Sequence, residues 1–225
     1  MIRLRSVSVE IEGRSILKDV TLDLTEQRVG IIGLNGSGKS TFVRLLNGLQ
    51  LPTEGSVTVD ELETKKDSRK VRRKVGFVFQ NPENQIVYPI VKEDLAFGLK
   101  NLKVDKKKTE ERVFATLKKY DLAHLSDRFT HQLSGGEKQM IALMGVMIMD
   151  PEYIVFDEPT TLLDLRNTRR LMSVIAGLSQ SVLMVTHDLD LLSKFDRVLC
   201  FQEGQLVADD RPERVIQQYK TLCDV

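Results

Sequence analysis

The sequence predicts an α/β fold, a mostly parallel sheet with an antiparallel β subdomain and an inserted helical subdomain. Short apolar runs of buried-strand type, "VGIIG" (29–33), "VGFVFQ" (75–80), "YIVFDEP" (153–159) and "SVLMVTHD" (181–188), alternate with helical stretches. The N-terminal stretch instead alternates apolar and polar residues, the pattern of half-buried antiparallel strands. From about residue 92 to 149 the period is mostly helical, which marks the insertion.

Taken in order, residues 2–11 and 16–24 read as a β-ribbon turning at Gly13. The run at 29–33 is a buried strand. "LNGSGKSTFVRLLNGL" passes from a glycine-rich loop into an amphipathic helix, with Gly48 near its end. Residues 55–60 form another strand. Residues 63–74 carry seven basic and two acidic side chains and read as a solvated face. The strand at 75–80 ends in Gln80, and a Lys-rich link at 103–108 divides the helical block. The runs at 153–159 and 181–188 end abruptly in polar residues. Residues 196–210 read as a hairpin around Glu203-Gly204, and 212–222 as a last helix. The expected organisation is one domain over 1–225. Residues 1–90 and 151–225 form its core and β subdomain, and 91–150 the helical subdomain.

Composition narrows the class. A chain of 225 residues suits one large domain, or one domain with an insertion. With 33 basic and 32 acidic residues the net charge is +1, which gives no argument for a polyanion partner, and no nucleic acid is expected. Two cysteines, Cys200 and Cys223, make neither a disulfide framework nor a metal site by spacing, so a reducing cytosol is the simple reading. The N-terminus lacks the apolar core of a signal peptide. The longest apolar runs fall short of the roughly 20 residues that span a bilayer. The chain is therefore expected to be soluble and, if it works at a membrane, to be held there by another protein.

Gly33-Leu-Asn-Gly-Ser-Gly-Lys-Ser40 fits G-x-x-x-x-G-K-[ST], and it follows a predicted strand and opens a helix, the context this motif requires. Its glycines let backbone N–H groups curl around phosphate oxygens, and the helix N-terminus adds its dipole. Lys39 is expected to reach the β- and γ-phosphates, and Ser40 to ligate Mg²⁺. In "YIVFDE" Asp157 emerges at a strand's carboxyl end, where it can hold the metal shell. Glu158 follows as the group that polarises the attacking water, or its general base. His187 ends "VLMVTH" and can hold Glu158 and water in place. Gln80 has an amide suited to Mg²⁺ or water. His124 and His131 are read as structural. These residues leave several nucleotide-hydrolysing classes open.

"LSGGE" (133–137) separates them. With it, the chain resembles the ATP-binding-cassette (ABC) transporter ATPases over nearly its whole length. "GLNGSGKST" is similar to Walker A, which brings in Asn35, Gly36, Ser37, Gly38, Lys39, Ser40 and Thr41 as ATP-binding residues. Gln80 stands at the Q-loop, "LSGGEKQ" at the signature, "YIVFDE" at Walker B, Leu163-Asp164 at the D-loop and His187 at the switch histidine. The resemblance implies two copies joined head to tail, with ATP between Walker A of one and the signature of the other. Ser134, Gly135, Gly136 and Glu137 would face that ATP from the second copy, and Asp164 would lie at the interface. ATP and Mg²⁺ are the implied cofactors.

A narrower likeness lies in "FQNPENQIVYPIVKEDLAFGLKN" (79–101), which resembles the Q-loop region of ATPases from energy-coupling-factor (ECF) importers of vitamins and transition-metal ions. It implies a transmembrane coupling subunit, a substrate-binding membrane subunit and a place on the cytoplasmic face of the inner membrane. Asn84, Gln85, Ile86, Val87 and Tyr88 are the candidates for partner contact. A plain connector is the competing reading. The short C-terminal end favours a homodimer, and the overall pattern resembles biotin-importer ATPases, with cobalt or nickel importers next. The chain also departs from the family pattern. Ile11 stands where many relatives stack an aromatic ring on adenine, and it covers that face without a π-surface. "TEQR" replaces a frequent Gly-Glu before the Walker A strand. Leu162 and Leu163 stand in the D-loop region where smaller residues are common, Leu165 replaces a frequent Pro, and Glu137 stands for the commoner Gln. The alternatives are a conventional ABC importer or exporter, a soluble ABC-type ATPase of repair or translation, and a non-hydrolysing regulator. Lys39, Asp157, Glu158 and His187 count against the last.

Overall fold

The structure, a computed structural model, describes residues 1–223. In chain order its strands and helices begin with β1 (Ile2–Ile11), β2 (Arg14–Leu24), β3 (Arg28–Gly33), α1 (Lys39–Leu45), β4 (Glu54–Val59), β5 (Leu62–Glu63), α2 (Ser68–Lys74) and β6 (Val75–Val78). The middle holds α3 (Val91–Asn101), α4 (Lys106–Lys119) and α5 (Gly135–Met147). The rest is β7 (Tyr153–Asp157), α6 (Leu165–Ala176), β8 (Ser181–Val185), β9 (Arg197–Gln202), β10 (Gln205–Asp210) and α7 (Pro212–Cys223). Among these helices none is long and apolar enough to cross a membrane.

The chain packs as two compact units. The first takes residues 1–77, 152–158 and the chain from Leu178 onward. Its antiparallel sheet has the order β2-β1-β4-β5. In β1 alternation buries Ile2 and Leu4, and a bulge at Ser6, with positive φ, shifts the register so that Val7 and Val9 are buried in turn. Glu12 and Gly13, both with positive φ, close the β1–β2 turn in the backbone twist that suits a hairpin.

The larger sheet has the order β10-β9-β3-β8-β7-β6. β3 lies between β8 and β9 and is parallel to both, β7 is parallel to β8, and β10 returns antiparallel to β9. The central strands are buried on both faces, so their sequences are continuous apolar runs. The carboxyl ends of β3, β7 and β8 thus share one edge, and the loops that leave them carry the polar residues.

The second unit takes 78–151 and 159–177, so α6 packs with the helical segment; on sequence it falls in the 151–225 core stretch. Helix α5 buries Met140, Ile141, Ala142, Leu143 and Met144, so it is apolar nearly all round. Three local expectations need correction. The strand at 75–80 stops at Val78, because the Phe79 N–H is taken by the Gln85 side chain (3.3 Å). Gln80 therefore lies beyond the strand. Likewise β8 stops at Val185, two residues before His187. The Lys-rich segment is no simple link. Asp105 accepts from the Lys107 and Lys108 N–H groups at 2.9 and 3.3 Å, and that cap lets α4 begin at Lys106.

Candidate functional site

In the first unit β3 delivers the chain to residues 34–38, and α1 starts at Lys39. Gly33 has φ 146°, and a Cβ there would lie 2.1 Å from the Phe201 carbonyl oxygen, so the loop leaves β3 only through a glycine. Gly36 has φ 77° with nothing within 4 Å of a Cβ, so the loop there is open. Asn35 and Gly36 are exposed, whereas Ser37 is buried. Ser40 and Thr41 follow Lys39 in the first turn of α1.

Lys39 is only 5% exposed, and its Nζ donates to the carbonyls of Gly33 (2.8 Å) and Leu34 (2.9 Å). Burial pushes its ammonium pKa down, against the opposing pull of Glu158 and Asp157. Ser40 Oγ donates to Asp157 Oδ1 at 2.9 Å. Asp157 is the last residue of β7 and is 4% exposed. Burial pushes its carboxyl pKa up, while the Ser40 hydrogen bond and Arg44 hold it down. Arg44 Nη2 is 3.6 Å from Asp157 Oδ2. Sequence reasoning missed Arg44, although it stands one helical turn after Ser40, on the same face of α1.

Glu158 follows in the left-handed region at φ 52°, where its N–H donates to the Val185 carbonyl (3.1 Å). That unusual backbone turns its side chain to His187, whose Nε2 lies 3.0 Å from Glu158 Oε1. The Thr186 N–H is tied to the Ile31 carbonyl (3.2 Å), which fixes the segment before the histidine. One sheet edge therefore gathers Lys39, Ser40, Asp157, Glu158 and His187.

Those residues fit an oligophosphate with a hard cation. Ser37 Oγ is buried with no hydrogen-bond partner among the described residues, an orphan at the loop's inner face. The open backbone at Gly36 leaves room for a ligand to approach. Ser40 and Asp157 supply oxygen donors of the kind Mg²⁺ takes. Ile11, at the end of β1 in the same unit, is 41% exposed.

The second unit holds the remaining candidates. Ser134 is the N-cap of α5 in a reciprocal capping box: Glu137 N–H donates to Ser134 Oγ (3.3 Å), and Ser134 N–H donates to Glu137 Oε2 (2.8 Å). Hydrogen bonds from the Ser134 hydroxyl and N–H hold the Glu137 carboxyl below its ordinary range. The two glycines differ. A Cβ on Gly135 would meet only the Leu162 carbonyl, at 4.0 Å, whereas one on Gly136 would lie 2.3 Å from Asn167 Cγ. Asp164 is the N-cap of α6 and accepts from the Asn167 N–H at 2.8 Å. Asn167 was absent from the sequence candidates, and no local pattern marks it.

Gln80 lies in the loop after β6. Beside it Gln85 is committed inward, its Nε2 donating to the Ala142 carbonyl (2.6 Å). Asn84 and Val87 are exposed, Val87 by 66%. Tyr88 packs its ring on Phe97 at 5.4 Å, and its N–H and that of Val87 donate to Asp94 Oδ1.

Comparison with known proteins gives consistent matches. The profile described as ABC transporter matches residues 17–161. The biotin transport ATP-binding protein BioM of Rhizobium etli is 46% identical over 222 residues, 99% of each chain. The energy-coupling factor transporter ATP-binding protein EcfA1 of Caldanaerobacter subterraneus subsp. tengcongensis is 41% identical over 99% of this chain and 84% of its own. Among solved structures, cbiO1 from Clostridium perfringens, described as part of the ABC transporter complex cbiONQ, superposes with a TM-score of 0.85. It is 30% identical, over 100% of this chain and 93% of its own.

Proposed function

The chain belongs to the ABC transporter family, in its ECF branch, and on that premise we propose that its ATP hydrolysis energises import of biotin. Family members bind and hydrolyse ATP to power transport. A transition-metal ion, cobalt or nickel, is the next substrate class. The chain works as a homodimer held at the cytoplasmic face of the membrane by a transmembrane coupling subunit, beside a substrate-binding membrane subunit. The matched relatives of biotin transport and energy coupling support that reading.

Asn35, Gly36, Ser37, Gly38, Lys39, Ser40 and Thr41 cradle the phosphates, and Ile11 covers the adenine. Ser40 and Asp157 would hold Mg²⁺, with the Gln80 amide as the further candidate ligand, and the ion would supply neutralisation of charge on the β- and γ-phosphates. Glu158 polarises the attacking water, and His187 keeps that carboxylate in place. From the second copy, Ser134 and Gly135 face the γ-phosphate, Glu137 fixes Ser134, and Asp164 sits at the interface. Gly136 stands behind them, with Asn167 against the side where a Cβ would project. Val87 and Asn84 are the exposed contacts for the transmembrane partner, with Ile86 and Tyr88 beside them; Gln85 braces the loop from inside.

The observation that carries this reading is the Glu158–His187 pair, 3.0 Å apart, in the same unit as the Ser40–Asp157 hydrogen bond. Glu158→Gln is expected to cut ATP turnover by about 10²–10⁴. With ATP bound, the variant runs as a dimer on sizing. Turnover at the unmodified rate would remove Glu158 from its role. Substrate is decided by ATP-driven uptake of labelled biotin, cobalt and nickel into vesicles carrying the whole complex. Uptake of none of them would sink the importer assignment.

A further inference from the structure

We infer that Asn167 is a positioning residue that binds the signature turn and the D-loop into one element within each copy. The observation is a close approach at the N-terminus of α5. A Cβ on Gly136 would lie 2.3 Å from Asn167 Cγ, 2.4 Å from Oδ1 and 2.6 Å from Nδ2. The carboxamide thus fills the space where any other residue at 136 would place its side chain. The backbone of the same asparagine donates its N–H to the Asp164 carboxylate at 2.8 Å. One residue therefore touches the second glycine of "LSGGE" with its side chain and holds the D-loop aspartate with its main chain.

The contrast between the two glycines gives this contact its meaning. At Gly135 a Cβ would meet only the Leu162 carbonyl oxygen, at 4.0 Å, and the residue is exposed. The chain itself does not require glycine there. At Gly136, which is buried, a methyl group fits only if the Asn167 carboxamide is displaced. The need for glycine at 136 is internal: it seats the start of α6 against the start of α5. Asp164, Ser134 and Gly135 consequently keep one mutual geometry, and a second copy meets them as a unit. Rotamer freedom in Asn167 would blur that geometry at the interface.

This inference rests on the proposed ATP-sandwich dimer, and the experiment separates the two. Five chains are compared in the full-length protein with Glu158→Gln, which retains ATP: no further change, Gly135→Asp, Asn167→Ala, Gly136→Ala, and Gly136→Ala with Asn167→Gly. Each is measured for melting temperature, ATP affinity of the monomer at high dilution, and the ATP concentration giving half-maximal dimer. Asn167→Ala is expected to leave melting and monomer affinity close to the parent, yet to raise the dimerisation midpoint about tenfold, a change of 1.4 kcal/mol. A role in stability alone would move melting without moving the midpoint at matched folded fraction. Gly136→Ala alone should fail to dimerise, and adding Asn167→Gly should restore a measurable midpoint. If Asn167→Ala does not fold, Asn167→Ser is read in its place. If Gly135→Asp blocks dimerisation while Asn167→Ala leaves the midpoint unchanged, the Asn167 inference falls and the dimer stands. If Gly135→Asp dimerises normally, both fall.

Discussion

Ser40 and Asp157 stand 117 residues apart in sequence, and the Ser40 hydroxyl donates to the Asp157 carboxylate across 2.9 Å. The contact joins the first turn of α1 to the end of β7, so the sheet edge and the phosphate loop meet through two oxygen-bearing side chains. The carboxylate also lies in the field of the buried Lys39. The arrangement is costly in a chain without ligand, because a carboxylate is desolvated and only partly compensated.

That cost can be measured. Burial raises the Asp157 pKa above its ordinary 3.8, so the folded chain holds this proton more tightly than the unfolded one. The resulting stabilisation is complete below the ordinary carboxylate pKa and is lost as pH rises through the raised value. At neutral pH the ionised, buried carboxylate is a net burden. Asp157→Asn removes the ionisation while its side-chain oxygen still accepts from Ser40. The variant should melt higher than the parent at pH 7. The gain should shrink as pH falls toward 3.8, and ATP turnover should be lost. Melting curves across that range check it; a gain of constant size at every pH would mean that ionisation is not its source.

The phosphate loop offers a separation of fold from function. At Gly33 a Cβ would sit 2.1 Å from the Phe201 carbonyl oxygen, at φ 146°. Gly33→Ala should therefore lose about 2–6 kcal/mol of stability from strain and overpacking together. At Gly36 nothing lies within 4 Å of a Cβ, and the only cost is the positive φ of 77°. Gly36→Ala should lose about 1–2 kcal/mol and fold normally. Its methyl group would nevertheless stand where phosphate oxygens approach, so kcat/KM for ATP should fall at least tenfold. Urea denaturation with ATPase assays distinguishes the two. Equal stability losses at both positions would contradict the geometry.

Much of this could be read from the residues, and the failures have physical causes. Continuous apolar runs at 29–33, 153–157 and 181–185 betrayed strands buried on both faces. Strand ends were harder, since they depend on which partner takes each N–H. Phe79 leaves the ladder for the Gln85 side chain, an exchange that periodicity does not register. Asp105 was legible in principle as a helix cap, but a run of lysines disguised the first turn of α4. The phosphate-loop residues, the acidic pair and His187 carried their own spacing. Arg44 had a helical signal relative to Ser40 that went unused. Asn167 had none, because its meeting with Gly136 is a tertiary contact between helix starts. The same contact divides two adjacent glycines that look alike in sequence, one packed against a side chain and one left open.

In the proposed dimer Asp164 has two demands on it, and they are separable. Its carboxylate caps α6 through the Asn167 N–H at 2.8 Å, so Asp164→Ala should lose about 1 kcal/mol, typical for an N-cap. Serine and asparagine cap almost as well. If capping were the whole role, Asp164→Ser would recover both stability and turnover. In a residue that also faces a second copy, the shorter, neutral serine restores the cap but not the contact across the interface. The expected result is therefore split: Asp164→Ser melts like the parent chain, while its ATP turnover stays as low as that of Asp164→Ala. Urea unfolding and steady-state ATPase measurements on both variants decide it. Full recovery of turnover by serine would confine Asp164 to its own helix.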